Sequence, residues 1–254
     1  NIAGLCAGLA SEGYKVFFYS IGNFPTLRCM EQIRYDIAYH KTNVNIVAVG
    51  GGYAYGSLST SHHATEEIGM LRTIPNMMVC SPSDPSEVKE ILQITSSDSS
   101  PSYMRLNRSG EENIKFIDGF EVGNLHLAHQ GSPKSHKKAF ISNGAICNEV
   151  YKDLIKASSS YDLYSLPIIK PLLVEKIIEK LIKYEEIIIV EEHQLNGGLG
   201  TTIQEILYDS YSSSNISSLP KICRIGIEDT FQSVAGTQDF LRESAGLFNY
   251  RKYI

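Results

Sequence analysis

The sequence predicts an α/β fold of two consecutive three-layer domains, each built on a parallel sheet. Three observations lead there. Short β-branched runs alternate with amphipathic stretches of roughly 10–15 residues in both halves of the chain, the pattern of βαβ units. The alternation lapses once, over Asn107–His136, where the composition turns polar and glycine-rich. The run Glu186–Val190 is isoleucine-rich, as a strand covered on both faces should be. The expected division is a first domain over 1–110, a linker over 111–136 and a second domain over 137–254.

The elements follow in order. Asn1–Glu12 has apolar residues at helical spacing, with small Ala3, Gly4, Ala7 and Gly8 suited to close packing. Lys15–Ser20 reads as a strand. After Gly22-Asn23-Phe24-Pro25 a helix is expected to about His40, with Asn23 or Thr26 as its cap and Pro25 in its first turn. Strand Val44–Val49 runs through a glycine-rich crossing to a helix expected over His63–Thr73. Strand Asn76–Cys80, the capping run Ser81–Pro85, a helix over Ser86–Thr95 and strand Tyr103–Leu106 complete the first half. The linker has room for one short hairpin. Beyond it come strand Ala139–Ser142, helix Ile146–Ala157, strand Tyr161–Leu166, helix Leu172–Tyr184 and strand Glu186–Val190. A helix opened by Gly197-Gly198-Leu199-Gly200, a serine-rich loop over Ser212–Ser218, strand Lys221–Ile227 and helix Thr237–Ala245 finish the chain.

Composition narrows the function. The 254 residues suffice for one large or two ordinary domains. A net charge of −5 argues against a nucleic-acid partner, which needs a basic face. The five cysteines lie far apart with no CxxC pair, which fits thiols of a reducing compartment better than disulfides or a zinc site. No apolar run approaches the ~18 residues of a membrane span, and no signal peptide is visible, so the expected location is the cytoplasm. The chain opens on Asn1 inside an apolar helical pattern without a cap, and the expectation is that residues precede it.

The chemistry is expected at Gly50-Gly51-Gly52-Tyr53-Ala54-Tyr55-Gly56-Ser57-Leu58-Ser59-Thr60-Ser61-His62-His63. A glycine-rich crossing from strand to helix lies where an open α/β sheet usually keeps its site. Two imidazoles there can donate to hydroxyls and exchange protons near neutral pH.

Several segments resemble the transketolase family of thiamine diphosphate enzymes. Asn1–Ala10 is similar to the helix that follows that family's essential glutamate. Ser61-His62-His63-Ala64-Thr65-Glu66-Glu67-Ile68 and Ile74-Pro75-Asn76-Met77 resemble its substrate-histidine segment. Ser81-Pro82-Ser83-Asp84 and Pro101–Arg108 match later pyrimidine-domain segments, and Glu191-Glu192-His193-Gln194 with Gly197–Gly200 resembles its C-terminal domain. The segments are collinear over nearly the whole chain.

The resemblance implies a pyrimidine-binding domain followed by a transketolase C-terminal-like domain, and transfer of a two-carbon ketol unit between phosphorylated sugars. His62 falls on the family's substrate histidine as the acid/base group, with His63 beside it as a further substrate contact. Phe24 is the implied aromatic face for the aminopyrimidine, and Ile21 and Arg28 of the same loop are the other implied cofactor-binding residues, Arg28 with Glu31 or Glu67 as alternative partners. Arg108 resembles the arginine that binds sugar phosphate, with Arg105 as its competitor. The glutamate that would drive the cofactor's tautomer falls two positions ahead of Asn1. No metal ligand is implied within the chain: the pyrophosphate and Mg2+ site belongs to an N-terminal partner subunit, in an α2β2 assembly around a homodimer of this chain. Gly50 stands where many members carry a histidine and Leu58 where they carry an aspartate, which implies an altered sugar pocket. Gly197–Gly200 with Glu192 and His193 is read as packing in preference to a second site. The alternatives are a deoxyxylulose phosphate synthase-like protein, a 2-oxoacid dehydrogenase β-like subunit, and a non-catalytic binding partner.

Overall fold

The computed structural model describes residues 1–132, 137–213, 216 and 218–254. The end of the expected linker (133–136) and part of the expected serine-rich loop (214, 215 and 217) lie outside the described residues.

The first sheet takes β1 (Val16–Ile21), β2 (Val44–Val49), β3 (Met78–Cys80), β4 (Ser102–Leu106) and β8 (Ile168–Lys170), in the order β1-β2-β4-β3-β8. The second takes β5 (His126–His129), β6 (Lys138–Ser142), β7 (Asp162–Ser165), β9 (Glu186–Gln194) and β10 (Lys221–Ile227), in the order β10-β9-β6-β7-β5. Both sheets are mixed, which corrects the expectation of purely parallel ones: β8 runs antiparallel to β3, and β5 antiparallel to β7. Neither strand belongs to a βαβ unit: β5 enters from the segment between the sheets, and β8 follows β7 of the other sheet without a helix between them. β8 also leaves its own half of the chain to extend the first sheet.

Each sheet is covered on both faces. α1 (Ile2–Ser11) and a helical stretch after β1 bury Ala3, Cys6, Ile33 and Ile37 against Ile46 and Tyr103. On the other face, α4 (Pro85–Ser97) brings Ile91 to Met104 and Ile168. In the second unit α6 (Val174–Leu181) and α7 (Leu199–Ser212) pack Ile177 and Ile203 on one side of Ile187 and Ile189. α5 (Gly144–Lys156) and the closing 3-10 stretch Leu247–Tyr253 place Val150 and Tyr250 on the other.

Two local expectations change. The helix after β1 begins at Leu27 with a 3-10 turn, passes through α2 (Met30–Gln32), and continues as a π-helical stretch, Ile33–Tyr39. Thr26 stands at its N-cap as expected, but neither side chain caps it: Thr26 Oγ1 donates to Gly22 O at 2.9 Å, and Asn23 Nδ2 donates to His63 O. The helix expected over His63–Thr73 is only α3 (Glu67–Arg72). It excludes both histidines, because Ala64 pairs with Gly52 in both directions (N–H to O 2.7 and 3.0 Å) and an extended bridge cannot also be a helix.

α4 shows the capping that its sequence promised. Asp84 accepts the Glu87 N–H at 2.9 Å, and Glu87 reaches back to accept the Ser83 N–H at 2.7 Å. The same Asp84 carboxylate accepts the Ile114 N–H at 2.7 Å, tying the segment between the sheets to the first one. Asp84→Ala leaves both donors buried and unmet, and should lower the unfolding free energy in urea by about 2–3 kcal/mol. A loss below about 0.5 kcal/mol would place both N–H groups in water.

Candidate functional site

Ile21, Val49 and Leu106 lie side by side at the C-terminal ends of β1, β2 and β4. The loops that follow them carry Phe24, the histidines and Arg108, so register alone brings the expected residues to one sheet edge. Gly50 and Gly51 both donate to Leu106 O, at 2.8 and 3.0 Å, and the Gly52–Ala64 bridge then closes the histidine loop at its neck. Inside the neck the chain makes two 3-10 turns, Gly56–Leu58 and Thr60–His62, joined by Ser59 at φ 66°.

The structure brings Phe24, Arg28 and His62 together. The half-buried Phe24 and His62 rings meet edge to face at 5.2 Å, and the Arg28 guanidinium lies 4.1 Å from the Phe24 ring centre. Ile21 is half-buried beneath them, its carbonyl accepting the Phe24 N–H at 2.8 Å. Ser61 Oγ lies 3.0 Å from His62 Nδ1.

His63 goes elsewhere. It is buried against Tyr53 (ring centres 5.0 Å apart), its Nε2 has no hydrogen-bond partner, and burial lowers its pKa. It lines a cavity of about 450 Å³ with Asn23, Glu66, Phe231 and Gln232. Arg108 is exposed, 5.3 Å over the Tyr55 ring, and lines a cleft of about 360 Å³ with Gly56, Ser57, Thr237 and Gln238. The lining of that cleft does not include His62. Its competitor Arg105 is buried inside the protein: Nη2 donates to Ala64 O at 2.6 Å and Glu192 O at 2.8 Å, and Nε lies 2.9 Å from Glu67 as an ion-pair contact without hydrogen-bond geometry.

The departures expected at Gly50 and Leu58 have definite surroundings. A Cβ at Gly50 would collide with the Tyr55 ring, so tyrosine occupies the space a side chain there would need. Leu58 is 49% exposed. Tyr55 was not among the expected site residues. Only its place in the glycine run pointed to it.

The glycines and acidic residues of the second half serve docking. Glu191 accepts the Leu199 and Gly200 N–H groups at 2.6 and 2.9 Å, and burial still pushes its pKa up to about 7. A Cβ on Gly69 would lie 3.4 Å from the Gly197 backbone, which fits glycines chosen for close approach. The buried His193 accepts the Gly69 N–H on Nε2 (3.2 Å) and donates from Nδ1 to Gln194 O (2.8 Å). Acceptance at Nε2 needs a neutral ring, and burial lowers its pKa to about 4. All five cysteines are free. Among the described residues, no helix is long and apolar enough to cross a membrane.

Comparison with known proteins gives a consistent result. Residues 1–111 match the model of the transketolase pyrimidine binding domain, and residues 140–239 that of the transketolase C-terminal domain. A putative transketolase C-terminal section from Methanocaldococcus jannaschii is 32% identical over 97% of this chain and 76% of its own length. A subunit of the apulose-4-phosphate transketolase from Phocaeicola vulgatus is 31% identical over 87% of this chain and 71% of its own. A solved split gene transketolase, described as an inactive beta4 tetramer, superposes with a TM-score of 0.78 at 28% identity, covering 97% of this chain and 76% of that one.

A pH dependence follows from His193. Its folded pKa lies below the unfolded one, so its contribution is complete above pH 6.5 and is lost as the pH falls toward 4. Denaturant titrations of His193→Gln at pH 7 and pH 4.5 should show an acid-induced loss of stability smaller than wild type by about 2–3 kcal/mol. Equal losses in the two proteins would mean that the ring is already charged in the fold.

Proposed function

We propose a function for a chain that belongs to the transketolase family: it carries the pyrimidine-facing wall of a thiamine diphosphate site in an enzyme split over two polypeptides. The observation that carries this reading is the Phe24–His62 contact at 5.2 Å, at the C-terminal edge of a sheet within the matched pyrimidine binding domain. A half-buried aromatic ring beside an imidazole fits one wall of an aminopyrimidine pocket. When bound, thiamine diphosphate supplies the nucleophilic carbon that carries the two-carbon ketol unit. Phe24 offers the stacking surface from a loop anchored at Ile21, and Arg28 backs that ring. His62, with Nδ1 held near Ser61, presents Nε2 to a sugar hydroxyl and exchanges its proton. His63 shapes the cavity behind it. Arg108, exposed at its cleft, binds the phosphate of the sugar through a guanidinium fork.

The pyrophosphate and Mg2+ are assigned to an N-terminal partner subunit, within an α2β2 assembly in the cytoplasm. α1 supports a partner. It buries Ala3, Cys6 and Ala7 in the core yet leaves Ile2 58%, Leu5 63% and Leu9 41% exposed on the opposite side. A helix apolar on both sides is one that is normally covered on both. The names of the Phocaeicola relative, a subunit, and of the solved split gene enzyme agree with that division, and the former is named for a phosphorylated sugar.

Two outcomes test this reading. In calorimetry, thiamine diphosphate should bind the mixed subunits and neither alone, and Leu5→Lys should weaken subunit association by about tenfold or more. Tight binding by this chain alone contradicts the split site. In the active pair, Arg108→Ala should raise KM about tenfold or more for phosphorylated acceptors, with little change for unphosphorylated ones; equal loss on both makes Arg108 structural.

A further inference from the structure

The histidine loop does not hold itself in place. Its neck is closed by the Gly52–Ala64 bridge, but the residue just inside that neck, Tyr53, gives its N–H to Glu192 Oε1 of β9 at 2.8 Å. Glu192 and Arg242 are each only 4% exposed. Oε2 receives Arg242 Nε at 2.9 Å and Nη2 at 2.7 Å, and Gln238 Nε2 approaches Oε1 at 3.1 Å. The Glu192 carbonyl accepts from Arg105, which also holds Ala64 at the other side of the neck. A Cβ on Gly52 would sit 2.6 Å from Oε1, so the loop backbone lies directly on this carboxylate. Farther along the loop, Thr60 Oγ1 donates to Gln232 O at 2.7 Å, two residues before His62.

We infer that Glu192, fixed by Arg242 and Gln238, is a positioning residue that sets the histidine loop, and through it His62, from the second domain. A carboxylate lodged between a guanidinium and a backbone N–H has one low-energy place, and that place fixes Tyr53. The two oxygens divide the work: Oε2 holds Arg242, and Oε1 holds the loop, with Gln238 Nε2 reaching both. The bearing of this clamp on turnover rests on the function proposed above, whereas its bearing on loop order does not.

Amide hydrogen exchange on the full chain, read residue by residue, is the test. Glu192→Gln keeps an acceptor for Tyr53 but turns amide hydrogens toward Arg242. It should speed exchange at Tyr53, Gly56 and Leu58 by about tenfold or more, with β9 amides Ile188–Val190 changed less than about twofold. The His62 ring resonances should shift with it. Gln238→Ala, a milder change, should do the same by about two- to fivefold and decides the matter if Glu192→Gln fails to fold. In the active pair with the pyrophosphate-binding partner, Glu192→Gln should lower kcat about tenfold with an unchanged Kd for thiamine diphosphate. Exchange that rises equally in the loop and in β9 would overturn the inference and leave Glu192 a docking residue. A wild-type pair without activity would sink the proposed function, while the exchange data would still judge the clamp.

Discussion

One buried arginine joins the two halves of this protein. Arg105 leaves the first sheet through β4 and reaches carbonyls on both sides of the domain boundary, Ala64 in the first unit and Glu192 in the second. Its charge is only 5% exposed and has Glu67 beside it, whose pKa burial raises despite that neighbour. Taking a guanidinium out of water is costly, and a buried pair is weak evidence for stability by itself. What Arg105 supplies is geometry. One nitrogen satisfies two carbonyls in fixed directions while another faces a carboxylate, which a lysine cannot do from a single rotatable ammonium. Remove it, and two buried carbonyls and Glu67 are left without it at the seam on which the histidine loop rests.

That seam occupies the place where the second sheet would otherwise keep a ligand. The chain leaves β6 in one direction for β7 and lies on the other side at β9, so the crevice beyond their C-terminal ends is a topological switch point. Asn143, Gly144 and Glu192 line it, and Gly51 and Arg105 of the first unit come up against them, leaving a gap of about 10 Å³. That is about the room one water needs. The second domain's crevice is thus filled by the first domain's loop, which explains why Glu192 is buried and not displayed, whereas Glu191 is buried within its own domain under the start of α7.

The sequence made the strands legible and misled at the joints. β1, β2, β4, β6 and β10 lie within a residue or two of their expected positions; in β2, β4 and β6 the apolar runs are imposed by burial on both faces, while the edge strands β1 and β10 were legible from their apolar and β-branched residues. β8 was missed: three residues before a proline carry no periodicity, and the strand exists only because an edge of the other sheet is there to receive it. The two histidines looked like a helix start because helical spacing resumes at Glu67, but the pairing of Ala64 with a glycine twelve residues earlier is tertiary and leaves no local mark. Gly50–Gly52 read as the opening of a glycine-rich crossing, with nothing in the sequence to say what lies against it. The answer is protein: the Tyr55 ring, the Arg105 side chain and the Glu192 carboxylate in turn. Likewise Phe24 and His62 were legible separately, while their contact depends on β1 and β2 ending in register.

These internal contacts also determine which surface remains for a partner. The second domain has closed its own crevice, β8 extends one end of the first sheet, and Arg105 seals the boundary between the units. At the other end β1 is an edge strand, with Phe17 and Tyr19 exposed along it and the outer stripe of α1 nearby in the same unit. An edge strand flanked by uncovered apolar side chains is a liability in a chain meant to stand alone. Phe24 follows directly from that strand's C-terminal end, so whatever covers the strand also approaches the aromatic wall. A site divided between two chains would be closed from this flank, where β1 and α1 leave apolar side chains uncovered beside the loop that carries Phe24.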